Sequence, residues 1–152
     1  MNTRVGIGYD SHRFAAGRPL RIGGVTVPHT HGLVGHSDGD VALHALIDAL
    51  LGAAALGDIG QHFPDDDPQW RGMDSARLLK TVVDKLKAAG LVVGQVDITV
   101  IAERPKIGHM VGPMRAATAI SETYRPSRGA SEKLCSSRNT SNPSGRKALS
   151  RP

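Results

Sequence analysis

Three side chains in the first third of the chain could bind a metal ion together. Asp10 and His12 are two residues apart in a stretch of alternating apolar residues, so both project from one face of a strand, about 7 Å apart at the backbone. His44 lies in a predicted helix, in an Asp40-His44-Asp48 ladder of four-residue steps. If that ladder faces the strand, the set has one coordination position free, as in catalytic zinc sites. Asp40 or Asp48 could orient an imidazole from behind.

The spacing leaves a plainer interpretation open. Asp-x-His is a common pair, and His44 could be a helix-face histidine that pairs with the two neighbouring carboxylates. On pattern alone, the remaining histidines lie in predicted loops and are expected to be exposed to solvent: His29, His31, His36, His62 and His109.

Three loops carry further polar groups. Phe63 to Pro68 sets three consecutive aspartates between two prolines, which suits either a solvated loop or the binding of hydroxyls or a hard cation. Asp58-Ile59-Gly60 could hydrogen-bond a polyol. Pro105-Lys106-Ile107-Gly108 offers backbone groups and one cation to a base or a phosphate, but its pattern favours an ordinary surface turn.

The elements that must position these residues follow from apolar periodicity. Period-two patterns predict strands, four-residue patterns predict helices, and a Gly-Gly pair predicts a hairpin turn. In chain order we expect a strand over residues 4–14, a hairpin over 21–27, helices over about 38–56 and 75–89, a strand over 95–102 and a weaker helix over 110–124. Ser37 or Asp38 could cap the first helix, and Asp74 the second. This order predicts an α+β fold, a mixed α/β sandwich with one sheet and helices packed on one face.

Composition bounds the remaining possibilities. The 152 residues suit one domain, and no apolar run approaches the roughly 18 residues of a membrane span. Residues 1–120 hold 12 basic and 12 acidic residues, whereas residues 121–152 hold 7 and 2 and supply the whole net charge of +5. We therefore expect a domain over 1–120, a disordered tail rich in Ser, Arg and Pro over 121–152, and neither a nucleic-acid nor a membrane partner. The lone Cys135 and the absence of a signal peptide predict a cytoplasmic protein.

One long motif resembles a known enzyme family. Residues 36–60 read HSDGDVALHALIDALLGAAALGDIG and are followed by Phe63-Pro64-Asp65. Together with residues 8–14 and the later residues 96–106, this ungapped block resembles the 2-C-methyl-D-erythritol 2,4-cyclodiphosphate synthases of non-mevalonate isoprenoid biosynthesis. The resemblance covers roughly residues 4–120.

The resemblance implies an activity and a set of ligands. Members convert 4-diphosphocytidyl-2-C-methyl-D-erythritol 2-phosphate into the cyclic diphosphate and CMP, as the substrate's 2-phosphate attacks the β-phosphorus. Zinc or another divalent cation would be held by Asp10, His12 and His44, and a second cation, Mg²⁺ or Mn²⁺, would accompany the substrate diphosphate. A homotrimer with active sites between subunits is also implied. A zinc phosphohydrolase and a non-catalytic remnant that only binds metal or nucleotide remain the alternatives.

The resemblance also implies roles for single residues. His36 would stabilise the transition state and, with Ser37, contact the substrate, as would the metal-binding Asp10 and His12. The methylerythritol pocket would be lined by Asp58, Ile59, Gly60, Phe63, Pro64, Asp65, Asp66 and Asp67. A neighbouring subunit would hold the cytidine with Ala102, Pro105, Lys106, Ile107 and Gly108.

The resemblance ends near residue 120. The family carries there a strand reading Thr-Thr-x-Glu-Lys-Leu-Gly-Phe, whose threonine partners the residue matching His36 and whose glutamate binds the second metal. This chain has only Ser131-Glu132-Lys133-Leu134-Cys135, displaced and without the threonine pair. We interpret the residues after about Ser121 as the product of a shifted reading frame, a change that would impair the activity.

Overall fold

Four short strands and four α-helices make up the described part of the chain. The computed structural model describes residues 3–118. The strands are β1 (Phe14–Ala16), β2 (Leu20–Ile22), β3 (Val25–Val27) and β4 (His31–Leu33). The helices are α1 (Val41–Ala54), α2 (Ile59–His62), α3 (Ser75–Ala88) and α4 (Val111–Ala117), with 3₁₀ turns at Pro68–Trp70 and Gly108–Met110. The α+β class is confirmed. The expected tail over 121–152 and the end of the helix expected over 110–124 lie outside the described residues.

Helices α1 and α3 form the larger core. Ile47, Leu51 and Val82 are completely buried between them. Asp40 caps α1 by accepting a hydrogen bond from the Leu43 N–H at 3.1 Å, so the cap lies two residues after Asp38, the later of the two expected caps. The expected cap of α3 is confirmed, because the Asp74 side chain accepts from the Ala76 N–H at 2.8 Å.

The strands form two antiparallel pairs rather than the single expected sheet. β1 pairs with β4, and β2 pairs with β3 in the expected hairpin. The hairpin turns at Gly23 and Gly24, whose positive φ angles of 60° and 79° are those that glycine tolerates in a tight primed turn. A second core joins Leu20, Ile22, Val27, Leu33, Ala42 and Met114.

The strands expected over residues 4–14 and 95–102 are not observed: apart from Phe14, which begins β1, these residues lie in two extended segments outside the four strands. The first extended segment covers residues 3–13 and the second covers residues 91–102. Gly6 and Gly8 lie against Ala49 and Ala45 of α1, so the first segment runs antiparallel to that helix. The opposite side of the same segment carries Val5, Ile7 and Tyr9, which are 81–92 % exposed. The predicted alternation is therefore present, with the glycine face on α1 and the apolar face exposed, although the segment belongs to none of the four strands.

Among residues 3–118, no helix is both long enough and apolar enough to cross a membrane.

Candidate metal centre

Asp10, His12 and His44 converge on one point, as their spacing indicated. Oδ2 of Asp10 lies 3.0 Å from Nδ1 of His44 and 3.0 Å from Nε2 of His12. The two imidazole nitrogens are 3.3 Å apart. The three potential ligand atoms all lie within 4.8 Å of one another, so the group is able to bind a metal ion.

The first extended segment and α1 bring these ligands together. Gly6, Gly8, Asp10 and His12 share one face of the segment, and the two glycines let its backbone approach the α1 backbone. A Cβ atom at Gly8 would collide with the carbonyl oxygen of Ala45. Two residues further on, the same close approach places Asp10 beside His44 at the start of α1.

The Asp10 carboxyl group is held in its anionic form. Burial disfavours the carboxylate, but the hydrogen bond with His44, the nearby His12 ring and the Ser11 N–H together lower the pKa of Asp10 below its ordinary value of 3.8. At neutral pH the site thus offers one negative oxygen and two imidazoles, a donor set that suits Zn²⁺ and similar borderline cations.

The other side of the His44 ring meets hydroxyl groups rather than carboxylates. Nε2 of His44 lies 2.9 Å from Oγ of Ser37 and 2.9 Å from Oγ of Ser75. The expectation that Asp40 or Asp48 orients an imidazole is wrong. Both carboxylates bind backbone N–H groups instead, since Asp40 accepts from Gly23, Gly24 and Leu43 and Asp48 accepts from Ile59.

His36 and Ser37 lie in the loop that leads from β4 to α1. Ser37 is buried, and its hydroxyl contacts His44 directly. His36 is half-buried and lines an open cleft together with Gly35, Ser37, Gly72 and two arginines, Arg18 and Arg71. Arg18 donates from Nη2 to the carbonyl oxygens of Gly35 and Ser37, at 3.2 and 3.3 Å. This cleft therefore places positive charge beside the metal-binding group.

The two loops expected to bind the substrate have different structural roles. Asp58 is exposed and caps α2, while the Asp48 carboxylate fixes the Ile59 N–H at 2.7 Å. Phe63 is buried in the larger core, with its ring 5.0 Å from that of Trp70 in an edge-to-face contact. In the loop that follows, Pro64 and Asp67 are half-buried, and Asp65 and Asp66 are exposed. Between Phe63 and Asp67, only Asp65 and Asp66 are thus fully open to solvent.

The segment expected to hold cytidine lies between the second extended segment and α4. Ile107 packs against the smaller core, and Ala102 and Pro105 are half-buried. Lys106 and Gly108 are exposed. The exposed groups are those that a ligand could reach.

Reasoning from the sequence missed four residues around the site. Arg18 lines the cleft, and Ser75, Asp38 and Arg21 form a connected polar group behind His44. The sequence pattern at Asp74-Ser75 predicted the start of a helix and nothing about the metal centre. No local pattern indicates that Ser75, at the first position of α3, contacts a histidine 31 residues earlier.

The comparisons with known proteins agree with one another. The family model of the YgbB family matches residues 3–127. A protein of Bordetella petrii named 2-C-methyl-D-erythritol 2,4-cyclodiphosphate synthase is 63 % identical over 116 residues, which are 76 % of this chain and 72 % of that protein. A Vibrio cholerae protein of the same name is 56 % identical over 116 residues, 76 % of this chain and 73 % of its own length.

Solved structures show the same likeness. A 2C-methyl-D-erythritol-2,4-cyclodiphosphate synthase in its CDP-bound form superposes with a TM-score of 0.72 at 43 % identity, covering 76 % of this chain and 77 % of that one. The CDP complex of the Plasmodium falciparum protein gives a TM-score of 0.64 at 32 % identity, covering 76 % and 70 %. The chain therefore belongs to the YgbB family, the family of the 2-C-methyl-D-erythritol 2,4-cyclodiphosphate synthases.

Proposed function

We propose that this protein converts 4-diphosphocytidyl-2-C-methyl-D-erythritol 2-phosphate into 2-C-methyl-D-erythritol 2,4-cyclodiphosphate and CMP. The observation that carries this proposal is the convergence of Asp10, His12 and His44 in a chain so similar to synthases of that name. In the reaction, an oxygen of the substrate's own 2-phosphate forms a bond to the β-phosphorus. The bond from that phosphorus to the CMP oxygen breaks, and CMP leaves with the electron pair.

The ion in the metal centre is proposed to be Zn²⁺, with Mg²⁺ or Mn²⁺ as a second cation on the substrate diphosphate. A carboxylate and two imidazoles fit zinc better than they fit a hard cation, which prefers oxygen ligands throughout. Zinc bound there would polarise a phosphoryl oxygen as a Lewis acid. The chain's own residues must supply everything else, and in phosphoryl transfer that is chiefly positioning and neutralisation of charge.

The residues around the centre are suited to those two tasks. His36 and Ser37 occupy one loop, and the Ser37 hydroxyl contacts the ring of His44, so substrate phosphates bound at the metal would lie close to this loop. Arg18 holds the loop by two backbone carbonyls and adds positive charge. We propose His36 as the group that stabilises the transition state, and Asp58 to Gly60 with Phe63 to Asp67 as the binding region for methylerythritol.

We further propose a homotrimer whose active sites lie between subunits. Val5, Ile7 and Tyr9 form a continuous apolar row, 89, 92 and 81 % exposed, on the side of the first segment that faces away from α1. Ile101 and Val92 add 92 % and 71 % exposed apolar side chains on the second extended segment. Apolar rows of this kind mark protein–protein interfaces. Residues 102–108 would then reach the cytidine bound at a neighbouring subunit.

The protein is further proposed to be cytoplasmic. The single Cys135 supports this location, because one cysteine cannot form a disulfide within the chain.

Phosphorus NMR of the reaction products tests the proposed activity directly. The purified chain is incubated with the proposed substrate, Zn²⁺ and Mg²⁺. A cyclic diphosphate together with CMP is the expected outcome. Free inorganic phosphate would instead indicate a zinc phosphohydrolase, and CDP binding without any product would indicate a non-catalytic chain.

A further inference from the structure

A chain of buried polar groups lies behind the metal centre, on the side away from Asp10 and His12. Ser75, the first residue of α3, is completely buried. Its hydroxyl hydrogen-bonds Oδ1 of Asp38, and its backbone N–H donates to Oδ2 of the same carboxylate at 3.2 Å. An ionised carboxylate only accepts hydrogen bonds, and a serine hydroxyl has one proton. The hydroxyl proton of Ser75 is therefore committed to Asp38.

This commitment fixes the direction of the next hydrogen bond. Oγ of Ser75 also lies 2.9 Å from Nε2 of His44, and with its proton engaged it can only accept from that nitrogen. Oγ of Ser37, at the same distance, can accept from it as well. A bare Nε2 would instead direct its lone pair at those of Ser75 in a buried position, which is costly. Nε2 of His44 must therefore carry a proton.

The Asp38 carboxylate is itself held from several sides. Nε of Arg21 forms an ion pair with Oδ2 of Asp38 at 3.3 Å, and Nη2 of Arg21 reaches Asp74 at 3.3 Å. The Asp38 backbone N–H donates to the carbonyl oxygen of Met73 at 3.1 Å, which ties the loop to the start of α3. The orientation of the carboxylate, and through it that of the Ser75 hydroxyl, is thus fixed by the fold.

We propose that Ser75, oriented by Asp38, is a positioning residue that keeps Nε2 of His44 protonated, so that Nδ1 is the ring nitrogen available to a metal ion. The inference rests on the proposed metal site and extends it to a helix that contributes no ligand. Partners that orient a ligating imidazole from behind typically change metal affinity by about 10- to 100-fold when they are removed.

Nitrogen-15 NMR of the histidine rings in the full chain is the first test. Long-range couplings show which ring nitrogen carries a proton, and the spectrum is recorded without metal and with Zn²⁺. We expect Nε2 of His44 to be protonated in both states, while Zn²⁺ changes the signal of Nδ1 alone. A bare Nε2 in either state would overturn the proposal.

Variants supply the second test, by competition with a chelator for Zn²⁺. Ser75→Ala should weaken Zn²⁺ binding about 10- to 100-fold, and Ser75→Thr, which keeps the hydroxyl, should restore it. Thr81→Val removes an exposed hydroxyl from the same helix and should leave affinity unchanged. Wild-type affinity in Ser75→Ala would contradict the proposed role.

Asp38→Asn keeps the side chain's size and covers the case in which Ser75→Ala does not fold. Its amide can donate to Oγ of Ser75, which releases the hydroxyl proton toward His44. We expect Nε2 of His44 to lose its proton and Zn²⁺ binding to weaken. An Nε2 that stays protonated in Asp38→Asn would refute the proposal that Asp38 acts on His44 through Ser75. If the wild-type chain binds no Zn²⁺, the metal site is wrong, whereas the metal-free spectrum still reports the state of Nε2.

Discussion

Gly8 lies directly against the backbone of Ala45, the residue that follows His44 on α1. A Cβ atom added at Gly8 would collide with the Ala45 carbonyl oxygen and lie 2.8 Å from the Ala49 backbone nitrogen. The metal-binding group therefore depends on the absence of a side chain two residues before Asp10.

Gly8→Ala should separate the first segment from α1. We expect the free energy of unfolding to fall by about 1–3 kcal/mol, as for overpacking elsewhere, and Zn²⁺ affinity to fall with it, because Asp10 and His12 move away from His44. Denaturant unfolding and chelator competition measure the two effects. Gly94→Ala is the control, since nothing lies within 4 Å of its added methyl group. Full Zn²⁺ affinity in Gly8→Ala would show that the close approach is dispensable.

The metal ion should be required for turnover. We expect a chelator to abolish product formation and Zn²⁺ to restore it. The reason is that a cation held by the two imidazoles and the carboxylate would polarise a phosphoryl oxygen of the substrate. His44→Ala should lower turnover by roughly 100-fold or more, since it removes a ligand rather than a supporting group. His109→Ala, at an exposed histidine, serves as the control. Activity that survives both chelation and His44→Ala would exclude a metal-dependent reaction.

Asp40 should be a major determinant of stability and not of metal binding. Its carboxylate accepts from the backbone N–H groups of Gly23 at 2.8 Å, Gly24 at 2.6 Å and Leu43 at 3.1 Å, so it joins the β2–β3 hairpin to α1. Asp40→Ala should lower the free energy of unfolding by about 3 kcal/mol, as a lost helix cap and orphaned donors add together. The exposed Asp66→Ala is the matched control. A loss near zero would mean that water replaces the carboxylate.

The pH dependence of stability should carry the signature of Asp40. Burial raises the pKa of this carboxyl above its ordinary value of 3.8, and the nearby Asp38 adds to the effect, against the three backbone donors. Because the folded state then holds the proton more tightly than the unfolded state, the stability that this group contributes is full below pH 3.8 and is lost as the pH rises through the folded-state pKa. Wild type should therefore lose stability relative to Asp40→Asn over that interval in urea unfolding curves. If wild type instead gained stability relative to Asp40→Asn as the pH rises, the pKa of Asp40 would be lowered in the folded state, not raised.

The apolar row on the first segment should control assembly. Ile7→Asp places a charge at a side chain that is 92 % exposed in the single chain. Light scattering after size exclusion should show a trimer for the wild type and smaller species for Ile7→Asp, while Thr26→Asp, at another exposed position, leaves the trimer intact. A monomeric wild-type chain would refute the proposed interface.

Local patterns in the sequence determined most of the elements and the membership of the metal-binding group. The period-two alternation put Asp10 and His12 on one face, and helical spacing made His44 a candidate third ligand if its face met the strand. The structure brings the ligand atoms of all three within 4.8 Å of one another. Both helix cores and the hairpin also follow from apolar spacing, because burial selects one face at a time.

Only the tertiary structure decided which groups support that centre. Asp40 and Asp48, next to His44 by helical spacing, turn to backbone N–H groups elsewhere, whereas Ser75 arrives from another helix. The segment expected as a strand at residues 4–14 packs its glycine face on α1, yet up to residue 13 it pairs with no strand among the described residues. Periodicity states which face of an element is apolar or polar, but the partner that covers that face is set by the packing of the whole chain.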